Sequence, residues 1–347
     1  KLNFVEFHTH LIKYSIFVRM NNLFHYLLSP VALLFNGITS FRNFMYDSKR
    51  FKSTKFDLPI ICIGNLSTGG TGKTPHTNYL IELIKTEYRV GVLSRGYKRK
   101  TSGYFEVETS STAAQVGDEP LFYKWKHPDA KISVCEDRVF GITKMAQYEE
   151  ENFVYLLDDA FQHRAIKAGL NIILSEYNHL YLDDFLLPQG NLRESKQNAK
   201  RADIIIVSKC PPSLSISEKN EIKKRINPES YQFVFFSSME YYDLYSIFTH
   251  HKISDEKKTT ALIVSGIANP EAMETELDSR FDKTYLRSFS DHHQFTHTDI
   301  ESIIRTYQNL EEKNKVLITT EKDATRLFHF KEMFLEANID VFCLPIK

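Results

Sequence analysis

The sequence predicts an α/β fold: a mostly parallel sheet with helices on both faces, a smaller C-terminal α/β domain and an N-terminal interfacial helix. Three observations carry this. Short apolar runs recur along the chain, with polar, helix-compatible stretches between many of them, which is the pattern of a parallel sheet covered on both sides. One of those runs feeds a glycine-rich turn that opens into helical spacing. The length, 347 residues, allows about two domains, and 42% hydrophobic with 25% charged residues is ordinary globular composition.

The same composition excludes a disordered chain, a collagen and a disulfide scaffold. Lysine plus arginine equals aspartate plus glutamate at 44 each, so the formal net charge is zero and nothing global points to nucleic acid. That charge is unevenly placed. Residues 1–55 carry eight basic side chains and two acidic ones, a net +6, which leaves −6 for the rest. A basic end on an acidic body marks a segment with its own partner. Cys62, Cys135, Cys210 and Cys343 lie far apart, give no zinc spacing, and point to a reducing, cytosol-facing location.

Residues 20–41 are 22 positions without a formal charge, long enough to span a bilayer. His25, Pro30, Asn36, Gly37 and Ser40 interrupt the stretch, and it lacks the small-residue cleavage site of a signal peptide. An interfacial helix fits better. Ser29 is placed to cap it and Pro30 suits the first helical position. Val31, Leu34, Phe35, Ile38, Phe41 and Met45 then share one face, and Asn36, Ser40 and Asn43 the other. Lys49, Arg50, Lys52 and Lys55 follow. An apolar stripe with a basic cluster binds an anionic membrane surface without crossing it. A helix packed on the domain, with a solvated basic turn after it, satisfies the same periodicity. Residues before Met20 read as an upstream extension.

Residues 58–63 read as a buried strand ending at Gly64, and Tyr79, Leu80, Leu83 and Ile84 give helical spacing over 75–87. Further strands are expected at 90–93, 131–135, 153–157, 170–174, 204–207, 233–236, 261–264 and 315–318. Polar stretches at 209–220 and 250–260 are the expected linkers. The chain then divides into 1–55, a core at 56–255 and a smaller domain at 256–347.

Between the first strand and its helix lies Gly64-Asn-Leu-Ser-Thr-Gly-Gly-Thr-Gly-Lys-Thr74. This is the strand–loop–helix setting of a phosphate-binding loop, which makes the core P-loop NTPase-like. Gly69, Gly70 and Gly72 let backbone N–H groups approach phosphate oxygens, and the helix N-terminus adds its dipole. Lys73 is placed for the β/γ-phosphates and the Thr74 hydroxyl for Mg²⁺. The strict pattern has glycine five residues before Gly72; Ser67 stands there, so the loop is a variant. The run 153–157 ends in Asp158 and Asp159, and a carboxylate at a strand's end is what a magnesium–nucleotide site needs. Alone, such a pair more often makes a turn or helix cap, and which aspartate approaches the metal is open. Together these residues indicate an enzyme of Mg·ATP or Mg·GTP and name no acceptor. The guanine-reading Asn/Thr-Lys-x-Asp pattern is missing, with Glu321 where its Asn would be, which favours ATP.

Six further strings matter in combination: Leu93-Ser-Arg-Gly-Tyr-Lys-Arg99, Gly117-Asp-Glu-Pro120, Asp158-Asp-Ala-Phe-Gln-His163, Leu187-Pro-Gln-Gly-Asn-Leu-Arg-Glu194, Ser290-Asp-His-His-Gln-Phe295 and Thr319-Thr-Glu-Lys-Asp323. With the phosphate loop, and in this order, they resemble the tetraacyldisaccharide 4′-kinase family of lipid A biosynthesis, from about residue 22 to residue 325. Ala160 departs from the glycine expected after the paired aspartates.

The resemblance implies that ATP, with Mg²⁺, phosphorylates the 4′-hydroxyl of an acylated disaccharide 1-phosphate at the cytoplasmic face of the bacterial inner membrane. It favours membrane docking for the N-terminal helix, because an acylated substrate stays in the bilayer. It implies no nucleic acid and no obligate protein partner. Asp118 becomes the candidate base for the sugar hydroxyl, with the capping of a helix near Pro120 as its alternative role. His292, preferred to His293 only by alignment to the string, becomes its partner, which would bring the C-terminal part over the nucleotide. Nucleotide contacts fall to Asn65, Ser67, Thr68, Gly69, Gly70, Thr71, Gly72, Lys73 and Thr74, and to Arg193 supported by Glu194; metal contacts fall to Thr74, Asp158 and Asp159. Glu119 is expected near the metal. Arg95 is either a phosphate contact or a surface arginine. The rival from another class is a P-loop ATPase switch that works on a protein partner, although such switches have lysine where Thr68 stands.

Overall fold

The computed structural model describes residues 28–147, 152–249, 251–253, 255–267 and 269–346. The expected extension before Met20 and the first part of the uncharged stretch lie outside them. In chain order the elements begin with helix α1 (28–47), β1 (Thr54–Lys55), β2 (Ile60–Asn65), α2 (Lys73–Ile84), β3 (Arg89–Ser94) and β4 (Phe105–Glu106). Next come α3 (Ala113–Val116), α4 (Asp118–Lys126), β5 (Lys131–Val134), α5 (Arg138–Ala146), β6 (Phe153–Asp158), β7 (Ile166–Lys167) and β8 (Leu170–Glu176). Then follow β9 (Ile204–Ser208), α6 (Ile216–Ile226), β10 (Phe233–Phe236), β11 (Tyr245–Ser246), β12 (Thr260–Ser265) and α7 (Glu271–Arg280). The last are β13 (Lys283–Ser288), α8 (His297–Gln308), β14 (Lys315–Thr320), α9 (Glu321–Leu327), α10 (Lys331–Glu336) and β15 (Val341–Leu344).

The chain groups into two compact units that interleave in sequence. One takes in the described residues up to 55, with 64–71 and 164–237. In it β10, β9 and β8 run parallel, Phe233 beside Ile204 and Ile204 beside Ile172, and β1 pairs with β7. α1 is already helical at residue 28, upstream of Ser29, so Ser29 is not its cap. The helix turns most of its apolar stripe outward, with Phe35 and Met45 half-buried. Ala32, Thr39 and Asn43 are buried, whereas Val31, Leu33, Leu34, Ile38, Phe41 and Phe44 are 51–70% exposed. Among the described residues no helix is long and apolar enough to cross a membrane.

The other unit holds 56–63, 72–163 and 238–346 and contains two sheets flanked by helices. The first runs β2-β6-β3-β5-β4, parallel except for β4, with Ile60–Ile63 matched to Tyr155–Asp158. Its strands are short and almost wholly buried, which is why the sequence shows continuous apolar runs rather than alternation. The second runs β11-β15-β14-β12-β13, parallel except for β11. Because β11 pairs with β15, this sheet begins upstream of residue 256. Buried residues of β12, β14 and β15 pack on α8, α9 and α10 on one side and on α7 on the other. The linker expected at 209–220 is shortened by α6, whose Ser215 and Glu218 form a capping box. All four cysteines are buried, with no disulfide among the described residues.

Candidate functional site

β2 delivers the chain at Asn65, and residues 66–72 turn it into α2. Gly69 (φ +102°) and Gly72 (φ +87°) occupy left-handed backbone that side chains avoid. A Cβ placed on Gly69 or Gly70 would meet nothing within 4 Å, so the backbone there is bare. α2 starts at Gly72 with no side-chain cap, the form of a helix end presented to an anion. His76 Nδ1–H donates to the Gly72 carbonyl at 2.7 Å, and burial holds this imidazole's pKa below its ordinary value.

The first half of the loop is strapped by residues 191–193. The Thr68 N–H donates to the Asn191 carbonyl at 2.7 Å, and the Arg193 N–H to that of Leu66 at 2.8 Å. The Arg193 guanidinium donates to the Asn65 carbonyl at 3.1 Å and to the Asn65 side-chain oxygen. Asn65 Nδ2 donates in turn to Thr71 Oγ1 at 2.8 Å, and Ser208 to the Thr71 carbonyl at 2.8 Å. Asn65 therefore ties the start of the loop to its end, and Arg193 braces Asn65. Glu194, fully buried, accepts from Asn43 Nδ2 at 3.0 Å and from the Arg201 guanidinium at 2.6 Å, which anchors α1.

At the start of α2 the Lys73 ammonium stands 3.9 Å from Asp159 Oδ1. Asp158 ends β6, almost wholly buried. Thr77 donates to its Oδ1 at 3.3 Å, while its Oδ2 has no hydrogen-bond partner among the described residues. Burial pushes its carboxyl up to about 7, and the charges of Glu119 and Asp159 add to the effect. The Thr74 hydroxyl donates to Glu119 Oε1 at 2.7 Å, and the Lys322 ammonium donates to the same oxygen at 2.7 Å. Burial alone would raise Glu119; the charge and hydrogen bond of Lys322, with Thr74 and Lys73, outweigh it and hold Glu119 at about 2. Among the described residues no three His, Cys, Asp or Glu side chains form a metal cage. A magnesium ion on nucleotide phosphates needs none, since it keeps several waters.

α4 opens with Asp118 and Glu119 directly after Gly117 (φ +91°). A Cβ on Gly117 would lie 3.2 Å from the Gly96 backbone, and one on Gly96 2.8 Å from the Val116 carbonyl. The strings at 93–99 and 117–120 thus press backbone to backbone, and only glycine allows it. Asp118 is buried, and its Oδ2 lies 3.0 Å from His292 Nδ1, which must be the protonated nitrogen of that contact. His292 has φ +58°, and its N–H donates to the Gly266 carbonyl at 3.0 Å. His293 goes elsewhere, its Nε2 3.1 Å from Asp299 at the head of α8.

The structure thus joins Thr74 to Glu119, Lys73 to Asp159 and Asp118 to His292, and Arg95 is exposed. Sequence reasoning gave no role to Lys322, although it stands in the string 319–323, and missed Arg326; these two α9 cations meet Glu119 and Asp118. Their signal was present: Thr320 caps a helix on which Lys322 and Arg326 are four apart, on one face.

The family described as tetraacyldisaccharide-1-P 4′-kinase matches residues 24–347. A tetraacyldisaccharide 4′-kinase of Bacteroides thetaiotaomicron is 42% identical over 335 residues, covering 93% of this chain and 88% of that protein. One from Flavobacterium johnsoniae is 43% identical over 327 residues, covering 94% and 93%. Among solved structures, the "apo" form of LpxK from Aquifex aeolicus in complex with ATP matches with a TM-score of 0.69 at 28% identity, over 93% of this chain and 95% of that one.

Proposed function

This chain belongs to the tetraacyldisaccharide-1-P 4′-kinase family, and from that membership and the geometry we infer how its residues carry out the reaction. The activity is transfer of a phosphoryl group to the 4′-hydroxyl of a tetraacyldisaccharide 1-phosphate, a step of lipid A biosynthesis. ATP is the donor. The observation that carries the residue assignment is the Asp118–His292 pair at 3.0 Å, with Asp118 next in sequence to Glu119, the partner of Thr74.

A sugar hydroxyl is a weak nucleophile near neutral pH, so a base must take its proton as the phosphorus–oxygen bond forms. Asp118 is that base, and the His292 Nδ1–H keeps its carboxylate aimed. The bare backbone at Gly69 and Gly70, the uncapped start of α2 and the Lys73 ammonium receive the phosphates. Asn65 and Arg193 hold the loop in shape, and Ser67, Thr68 and Thr71 complete it. Hard oxygen donors suit magnesium, and the unpartnered Asp158 Oδ2 fits a cation. Thr74 and Asp158 would hold the ion, with Asp159 beside Lys73. Bound magnesium supplies charge neutralisation across the phosphates. The Thr74 oxygen would offer a lone pair to the ion while its proton stays on Glu119, which Lys322 also holds.

Residues 1–55 serve as a docking segment, 56–255 as the nucleotide-binding core, and 256–347 as the smaller part that contributes His292. The exposed apolar face of α1, with Lys49, Arg50, Lys52 and Lys55 exposed after it, supports contact with the anionic cytoplasmic face of the inner membrane, where an acylated acceptor resides. Incubation with radiolabelled ATP and the lipid disaccharide tests the assignment. Label should appear in the lipid; clean ATP binding without label in the lipid sinks it.

A further inference from the structure

We propose that Arg326 is a positioning residue for the Asp118–His292 pair; the proposal rests on the reading of that pair given above. The guanidinium is 3% exposed and reaches three ways. Its Nε stands 3.4 Å from Asp118 Oδ2, the oxygen that meets His292. Its Nη1 donates to the His293 carbonyl at 2.8 Å, and its Nη2 lies 3.2 Å from Asp323 Oδ1. One side chain therefore touches the base, the backbone beside the base's partner and a carboxylate on its own helix.

These contacts close a ring in which the two carboxylate links are ion pairs without hydrogen-bond geometry and the carbonyl link is a hydrogen bond. Asp323, wholly buried, accepts through Oδ2 from the Gly266 N–H at 2.9 Å and from the Thr320 hydroxyl at 2.8 Å. The Gly266 carbonyl accepts from the His292 N–H, His292 meets Asp118, and Asp118 returns to Arg326. The ring explains how His292 keeps its left-handed backbone, which persists only where the surroundings over-determine it. One bond holds the N–H of His292, and Arg326 holds the carbonyl of the next residue. Arginine suits the post because its planar, delocalised charge faces both carboxylates while Nη1 donates to the His293 carbonyl, which a compact ammonium cannot copy. Two carboxylates share the one guanidinium, so Asp118 is held without being fully neutralised.

Arg326 is not what joins α9 to α4. Lys322 bonds Glu119, and Lys126 bonds Glu321 at 2.8 Å, so two other ion pairs tie the same helices. This separates positioning from packing. Arg326→Ala and Arg326→Lys are to be assayed in the full chain with Mg·ATP and the lipid acceptor, with Lys126→Met as the control for loss of an interhelical pair. In Arg326→Ala, kcat should fall roughly 10- to 100-fold while KM and Kd for ATP change less than about twofold. Added guanidinium ion should restore part of that kcat, and Lys126→Met should keep native kcat even where its melting temperature drops. Native kcat in Arg326→Ala, or an equal loss of ATP affinity, overturns the proposal. Where Arg326→Ala does not fold, Arg326→Lys carries the test: lowered kcat at unchanged KM for ATP supports it, and native kcat overturns it. Failure of the native chain to phosphorylate the lipid would instead refute the functional reading, so the two failures are distinguishable.

Discussion

Two buried carboxylates near the start of α2 are driven in opposite directions, and each has a consequence for pH. Asp158 is pushed up to about 7, so the folded chain keeps a proton there that the unfolded chain releases near its ordinary 3.8. Between those values the folded state binds more protons, and stability falls as pH rises. Asp158→Asn removes that penalty and keeps an acceptor for Thr77. Calorimetry should find the variant about 4 °C or more higher in Tm at pH 8, with the gap closing toward pH 4. Glu119, held at about 2, has the opposite sign: its contribution is full above its ordinary 4.5 and is lost as pH falls toward 2. For the chemistry, Asp118→Asn should cut kcat by roughly 10²- to 10⁴-fold with ATP affinity intact; a turnover near native would remove Asp118 as base. The pairing of Asp118 with His292 was legible because both lie in ordered family strings. The contacts of Lys322 and Arg326 were not, even though Lys322 stands in the string 319–323, since a lysine and an arginine on a charged helix look like a solvated face until α4 is packed on them.

At the level of elements, the anchoring of α1 rests on polar chemistry. Glu194, buried between Asn43 and Arg201, fixes the inner side of the helix. Glu194→Ala leaves Arg201 without this partner and should cost about 2–4 kcal/mol, measured by denaturant unfolding. The outer side is independent of stability. Ile38→Glu with Phe41→Glu should leave unfolding unchanged, because both side chains are already exposed, and should abolish sedimentation with anionic vesicles. Persistent sedimentation would reject the docking role. Most buried strands were readable from their apolar runs, although β15 at the chain's end was missed, and β13 was not readable: at an edge of its sheet it alternates, with Lys283 and Arg287 along it, and no continuous run announces it. β11, at two residues, is below any periodicity signal.

For the whole molecule, neutrality conceals a +6 segment and a −6 remainder. Each basic side chain near an anionic surface adds about 1 kcal/mol of attraction, screened by salt. Vesicle binding should therefore weaken as sodium chloride rises and be weaker on uncharged lipid; salt-insensitive binding would assign the attachment to the apolar face alone. The α/β class was legible because buried parallel strands spell themselves out. The interleaving of the two compact units was not, because the packing partners of 64–71 and 164–237 are set by long-range pairing that no local pattern encodes.

A helix of about 30 Å that keeps Thr39 and Asn43 inward and six large apolar side chains outward is a poor solute. Away from lipid, the nearest cover for that stripe is the same stripe on another copy. Size-exclusion profiles in plain buffer should show heavy, concentration-dependent species that shrink when a mild detergent is added. An apparent oligomer measured without amphiphile then describes the buffer, and the mass that matters is the one recorded with the stripe already coated.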